Sequence, residues 1–167
     1  MRSVRVIPVL LLRNNGLVKT IKFKNPVYIG DPINTIKIFN EKEVDELVFL
    51  DMEVTQKGGE PDYKLLQEFA SEAFFPLAYG GGIRTLDQAK RIFRIGVEKI
   101  VLSSAAISNP SLVTEIANYA GSSSVVICID IKKTLFGAYN IFHRNGQKLE
   151  NSNPFDMAKS MEGLGAG

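Results

Sequence analysis

Apolar residues cluster in five short runs along the chain, "RVIPVLLL", "ELVFLDM", "FFPLAYGGG", "KIVLSSA" and "SVVICIDI". Runs of this length, rich in Val, Ile and Leu and lacking a polar alternate, are the pattern of strands covered on both faces. Between them the apolar spacing changes to a helical period: Ile33, Ile36 and Phe39, then Leu65, Leu66, Phe69 and Ala73, then Ala89, Ile92 and Phe93. Helix starts are signalled by Asp31-Pro32, Asn109-Pro110 and Asn153-Pro154, each a capping side chain before a proline suited to the first helical turn, and by the capping-box pair Thr85 and Gln88. Gly96 and Gly121 stand where two helices should stop. Strand-helix alternation predicts a parallel α/β sheet of five units. A long loop is expected over 13–30, a hairpin over 134–150 ("GAYNIFHRNGQK" at its centre), and a last helix over 154–163. A closed eight-stranded barrel needs roughly 250 residues. The expectation is therefore an incomplete barrel, the front part of a (βα)8 fold, with an open five-stranded sheet as the alternative.

Composition narrows the class without naming a function. In 167 residues, 20 basic side chains face 18 acidic ones, and the net charge of +2 gives no reason to expect nucleic acid or a membrane surface. The single cysteine, Cys128, sits in an apolar run and is expected to be a buried core residue in a reducing compartment. No stretch has the pattern of a secretory leader or a membrane span, so a cytoplasmic protein is expected.

Candidate chemistry lies at the carboxyl ends of the strands. Gly80, Gly81 and Gly82 end one strand and lead into a helix, where a backbone without Cβ atoms can approach an anion; a tight turn is the plain alternative. The next strand delivers Ser103 and Ser104 to the same rim. Asp51 and Asp130 directly follow apolar runs, where a carboxylate can serve as acid or base, or simply cap a loop. Lys19, Lys22 and Lys24 fall in the long first loop, which could close on an anionic substrate. His143, the one histidine, has no partner ligand nearby in sequence. Strand 1, by contrast, ends in Leu-Leu-Leu.

Taken together, "FKNPVYIGDPI", "EVDELVFLDM", "YGGGIR", "GVEKIVLSSAAISNPSL", "GSSSVVICIDIKK" and "GLGAG" resemble the HisF family, the cyclase subunit of imidazole glycerol phosphate synthase. The resemblance implies a (βα)8 barrel in the histidine pathway. It implies a glutaminase partner docked beneath the barrel, ammonia passing through the barrel, and a phosphorylated ribulosyl formimino ribonucleotide converted on the upper face. No cofactor or metal is implied. Of the family's two catalytic aspartates, Asp130 matches the second, and Leu11 occupies the place of the first. Lys19, Asp51, Gly81, Gly82, Ser103 and Ser104 fall at substrate and phosphate positions, with Ser103 in place of an asparagine. Arg5, Glu46 and Lys99 match the charged gate through which ammonia enters, and Glu98 an acid presented to the glutaminase. The extent of the resemblance, with Asp130, the glycine loop, Lys19 and Asp51, implies the cyclase; the retained gate beside an upper face altered at Leu11 and Ser103 is what the alternative predicts, a subunit that docks a glutaminase and supplies ammonia for amidination of a surface-polysaccharide sugar.

Overall fold

A computed structural model describes residues 4–21, 24–133, 139–143, 147–149 and 153–167. Five parallel strands form its centre: β1 (Val9–Arg13), β4 (Leu47–Asp51), β5 (Leu77–Gly80), β6 (Lys99–Leu102) and β7 (Val125–Ile127), adjacent in that order. Four ten-residue helices cross between them or follow them: α1 (Pro32–Glu41), α3 (Tyr63–Glu72), α4 (Leu86–Ile95) and α6 (Ser111–Ala120). This is the incomplete barrel expected, with helices outside. Among the described residues no helix is long and apolar enough to cross a membrane.

Alternation explains how each strand serves two surfaces. In the β1–β4 register Leu10 stands beside Phe49 and Leu11 beside Leu50, so even and odd positions of β1 face opposite ways. Leu12, Leu47, Phe49, Leu77, Tyr79, Ile100, Leu102 and Val125 point outward and are buried with Ile36, Leu66, Phe69, Ile92, Leu112 and Ile116 of the helices. Phe49 stacks on Phe69, ring centroids 4.4 Å apart. Fully burying one such side chain contributes about 1.5–3 kcal/mol. Val9, Leu11, Val48, Leu50, Ala78 and Val101 make the inner face, and Val9 remains exposed there.

The helix signals act as read. Asp31 accepts a hydrogen bond from Asn34 N, Asn153 from Phe155 N, and Thr85 and Gln88 close a complete capping box. Gly96 ends α4 at φ 111°, a left-handed geometry that favours glycine. Asn109 differs: Pro110 takes the cap position of α6, and Asn109 Oδ1 instead accepts from Ser111 Oγ. Helix α7 (Pro154–Gly163) follows Asn153, after which the amide of Gly167 donates to Val125 O, laying the chain along the outer edge of β7.

Two expectations are corrected. The stretch 13–30 is not a loop: β2 (Gly16–Ile21) and β3 (Lys24–Gly30) pair antiparallel and extend the sheet from β1. Arg13 pairs with Gly16 across Asn14 and Asn15, both at positive φ (48° and 58°), the type I′ geometry that suits a two-residue hairpin. "SVVICIDI" is not one strand, because Cys128 and Ile129 separate β7 from β8 (Asp130–Lys133). That strand opens a small sheet with β9 (Tyr139–His143) and β10 (Gln147–Leu149), which is the expected hairpin with an added strand. Two short helices, α2 (Val54–Lys57) and α5 (Ser104–Ser108), sit at the carboxyl ends of β4 and β6, too brief to show a period in sequence.

The glycine turn after β5 is held by what packs on it. A Cβ on Gly82, at φ 70°, would lie 2.1 Å from Val54 Cγ1, and one on Gly81, at φ 136°, would lie 2.7 Å from Asp51 Cβ. Gly82→Ala is expected to lower unfolding free energy by about 1–3 kcal/mol, from the left-handed backbone and the overlap with Val54. Urea denaturation checks this, and an unchanged midpoint contradicts it.

Candidate functional site

Two ends of the sheet carry polar side chains. At the amino ends, Glu46 precedes β4 and Lys99 opens β6, both on the inner face. Lys99 Nζ donates to Glu46 Oε2 at 2.5 Å, reaching past β5, whose residue at this level is Ala78. Arg5 Nη1 lies 3.6 Å from the same oxygen. The Glu46 side chain is 4% exposed, against 20% for Lys99 and 57% for Arg5. A carboxylate this dry is held by its cations, because leaving it unpaired in the interior would cost several kcal/mol. The structure thus brings all three gate candidates together at the amino ends of β1, β4 and β6. Glu98, beside Lys99, is exposed, and its amide donates to Leu77 O.

The carboxyl ends are more divided. Leu11 is half-buried on the inner face, next to Leu50 on one side and Val18 on the other. No proton can be exchanged there. Asp51 stands in register with the outward-facing Leu12, and its Oδ1 accepts from Glu53 N at 2.9 Å and Val54 N at 3.1 Å. It therefore holds the amides at the start of α2, whose cap position is Glu53. Burial raises its pKa, and the two backbone hydrogen bonds oppose that shift. Asp130 opens β8 opposite Phe142, exposed as a residue, with partial desolvation holding its carboxyl above the usual range.

Gly81 and Gly82 follow β5, and Ser103 follows the adjacent β6, so amides and hydroxyls do meet on one rim. The Gly82 amide donates to Thr55 Oγ1 at 3.0 Å, and Arg84 donates to the carbonyls of Gly58 and Gly59. Helix α2 and its following turn are fastened over the glycines in this way. Ser103 caps α5 through its carbonyl, which accepts from Ala106 N and Ile107 N; Ser104 O accepts from Ser108 Oγ. Lys19 is exposed on β2, paired with Val27. Lys22 lies outside the described residues, as does the side-chain placement of Lys24 and His143.

One cluster escaped the sequence. Arg13 Nε donates to Glu53 Oε1 at 2.9 Å, and Lys57 Nζ donates to Glu53 Oε2 at 2.8 Å. The hydrogen bonds from Lys57 and Arg13 hold the Glu53 carboxyl below its ordinary pKa. Arg13, Pro26, Met52, Glu53 and Gln56 line a cavity of about 120 Å³, and Arg13 also borders a second of about 280 Å³. The signal available was "RNNG": an Asn-Asn-Gly turn implies a tight hairpin that folds β2 back beside β1.

Comparison with known proteins agrees with this architecture. The chain is 51% identical over 164 residues to a Vibrio vulnificus protein named "Putative imidazole glycerol phosphate synthase subunit hisF3", covering 98% of this chain and 63% of that one. It is 51% identical over 168 residues to a Leptospira interrogans protein named "Putative imidazole glycerol phosphate synthase subunit HisF", covering all of this chain and 66% of that one. With the imidazole glycerol phosphate synthase subunit HisF of Streptococcus gordonii it shares 35% identity over 167 residues, again 66% of the relative. The chain thus spans 63–66% of the length of these relatives. The pattern of the histidine biosynthesis protein family matches residues 5–167, and the chain belongs to that family.

Proposed function

We propose that this chain acts as a subunit of the imidazole glycerol phosphate synthase type, taking ammonia from a glutaminase partner at the amino ends of its strands and using it on a phosphorylated small molecule at their carboxyl ends. The observation that carries the reading is the assembly of Arg5, Glu46 and Lys99. A buried carboxylate held by two cations makes a closed ring that a small neutral molecule can pass when one cation swings aside. Glu98, exposed beside that ring, suits contact with the glutaminase. In this reading Asp130 is the acid-base group, with its proton held to higher pH by desolvation. Gly81, Gly82, Ser103 and Ser104 receive phosphate, Lys19 and Asp51 lie at the edge of the substrate, and the reaction runs in the cytoplasm without a metal or cofactor.

Leu11 favours a second reading, in which ammonia is delivered but the acceptor is another molecule, such as a sugar destined for a surface polysaccharide. Cyclisation with two acids needs a proton donor on each side of the substrate, and the strand β1 side offers Leu11 between Leu50 and Val18. A placed acid or base is worth roughly 10² to 10⁴ in rate. Steady-state turnover of the ribulosyl formimino ribonucleotide with ammonium salt, using the full-length chain, separates the readings. The ammonia-supply reading expects turnover by the natural sequence about 10² to 10⁴ below that of Leu11→Asp. Ordinary cyclase turnover with Leu11 in place would sink it.

The gate is tested on a different axis. Glu46→Gln keeps the side-chain shape but removes the charge that Lys99 and Arg5 share. Glutamine-driven turnover in the glutaminase complex is expected to fall about tenfold relative to ammonium-driven turnover, the size of one lost charged hydrogen bond. Equal loss of both rates would assign Glu46 to stability alone.

A further inference from the structure

Arg13 stands one alternation beyond Leu11, on the same face of β1. Its Nε is engaged by Glu53, which Lys57 holds from the other side, so the guanidinium plane is set from behind. A guanidinium has four further N–H groups on its terminal nitrogens. Arg13 borders a cavity of about 280 Å³ whose other walls are Asn14, Gly16, Val18, Pro26 and Tyr28. Among the described residues Arg13 is the one charged residue in that lining, and Glu53, whose carboxylate its Nε engages, is not part of it.

The cavity is built by the hairpin. Asn14 and Asn15 take positive φ in the two-residue turn, which fixes Asn14 beside Arg13. Gly16 is the floor on which Tyr28 lies: a Cβ there would stand 2.8 Å from Tyr28 Cε2. Tyr28 is largely exposed, so its ring face and hydroxyl stay open to a ligand. A fixed guanidinium, a carboxamide and a phenol around an aromatic and proline surface match a hydroxylated molecule that carries one oxyanion.

We propose that this cavity is an oxyanion-binding subsite, in which Arg13 receives the phosphate or carboxylate of a small hydroxylated molecule while Asn14 and Tyr28 take its hydroxyl groups. The inference rests on the proposed reading only in treating the carboxyl ends of the strands as the substrate face. It adds that the mouth of β1, apolar at Leu11, holds charge at Arg13 instead of moving a proton. None of the described residues lining it belongs to the glycine turn.

Isothermal titration of the full chain in low-salt buffer with glucose 6-phosphate, glucuronate and glucose tests it. The two anionic sugars should bind and glucose should not, and whichever anion binds more tightly identifies the phosphate or carboxylate source. Arg13→Gln should weaken anionic-sugar binding by about tenfold or more, and Arg13→Lys should recover only part of the loss, because lysine cannot hold the planar fork. Tyr28→Leu, a change at an exposed ring that leaves the core untouched, should weaken binding several-fold. Affinity that survives both Arg13→Gln and Tyr28→Leu would overturn the proposal, as would equal binding of glucose. Sensitivity to Thr55→Val in place of Arg13→Gln would assign the anion to the glycine turn and also overturn it. The titration contains neither glutaminase nor ammonia, so its failure and failure of the ammonia reading are separately visible.

Discussion

The seam between five parallel strands and the helices outside them holds this molecule together. Each strand contributes alternate residues to it, so Phe49, Tyr79, Ile100 and Val125 stand in a row across the register and meet Phe69, Ile92, Leu112 and Ile116. Because this seam occupies one face of every strand, the other face is left to Leu11, Leu50, Ala78 and Val101. Chemistry is confined to the two ends, where strands stop and side chains can be polar.

The ends follow different rules. At the amino ends, a single carboxylate is withdrawn from water, with Lys99 reaching it from two strands away and Arg5 bordering it. Removing both cations would leave an expensive buried charge, and Lys99, the closer and drier of the two, carries most of the pairing. At the carboxyl ends, charge is spread over exposed turns. Asp51, Thr55 and Arg84 are spent on fastening α2 to the glycine turn, and Glu53 on orienting Arg13. The apolar Leu11 lies between these groups. The opening run of the chain joins both ends, with Arg5 below and Arg13 above.

Much of the fold was legible. Apolar runs located the five parallel strands, and capping side chains at Asp31, Thr85 and Asn153 located helix starts, because both depend on local hydrogen bonds and on a burial period visible in sequence. The hairpin after β1 was misread as a loop, since its strands mix lysines with apolar residues and its turn is a three-residue signal, "NNG". The break at Cys128 was invisible for a related reason: an apolar run does not record where its pairing partner changes. Of the candidate side chains, Arg5, Glu46 and Lys99 assembled as a unit, whereas Asp51 bonds the backbone at the start of α2. Both outcomes satisfy a strand-end aspartate equally well in sequence.

What the sequence determined by itself is the alternation that makes the seam, the helix caps, the family, and an apolar side chain at Leu11. These are properties of residue type at a position, and each is settled by local physics or by direct comparison. Only the tertiary structure decided which charges meet. Arg5, Glu46 and Lys99 are separated by dozens of residues, as are Arg13 and Glu53, and their pairing depends on which strands lie adjacent and at what register. The same packing decided that the Gly82 amide faces Thr55 and that Gly16 lies beneath Tyr28. Contacts of that kind are made by the close approach of remote backbone segments, and no spacing in the sequence encodes such a distance.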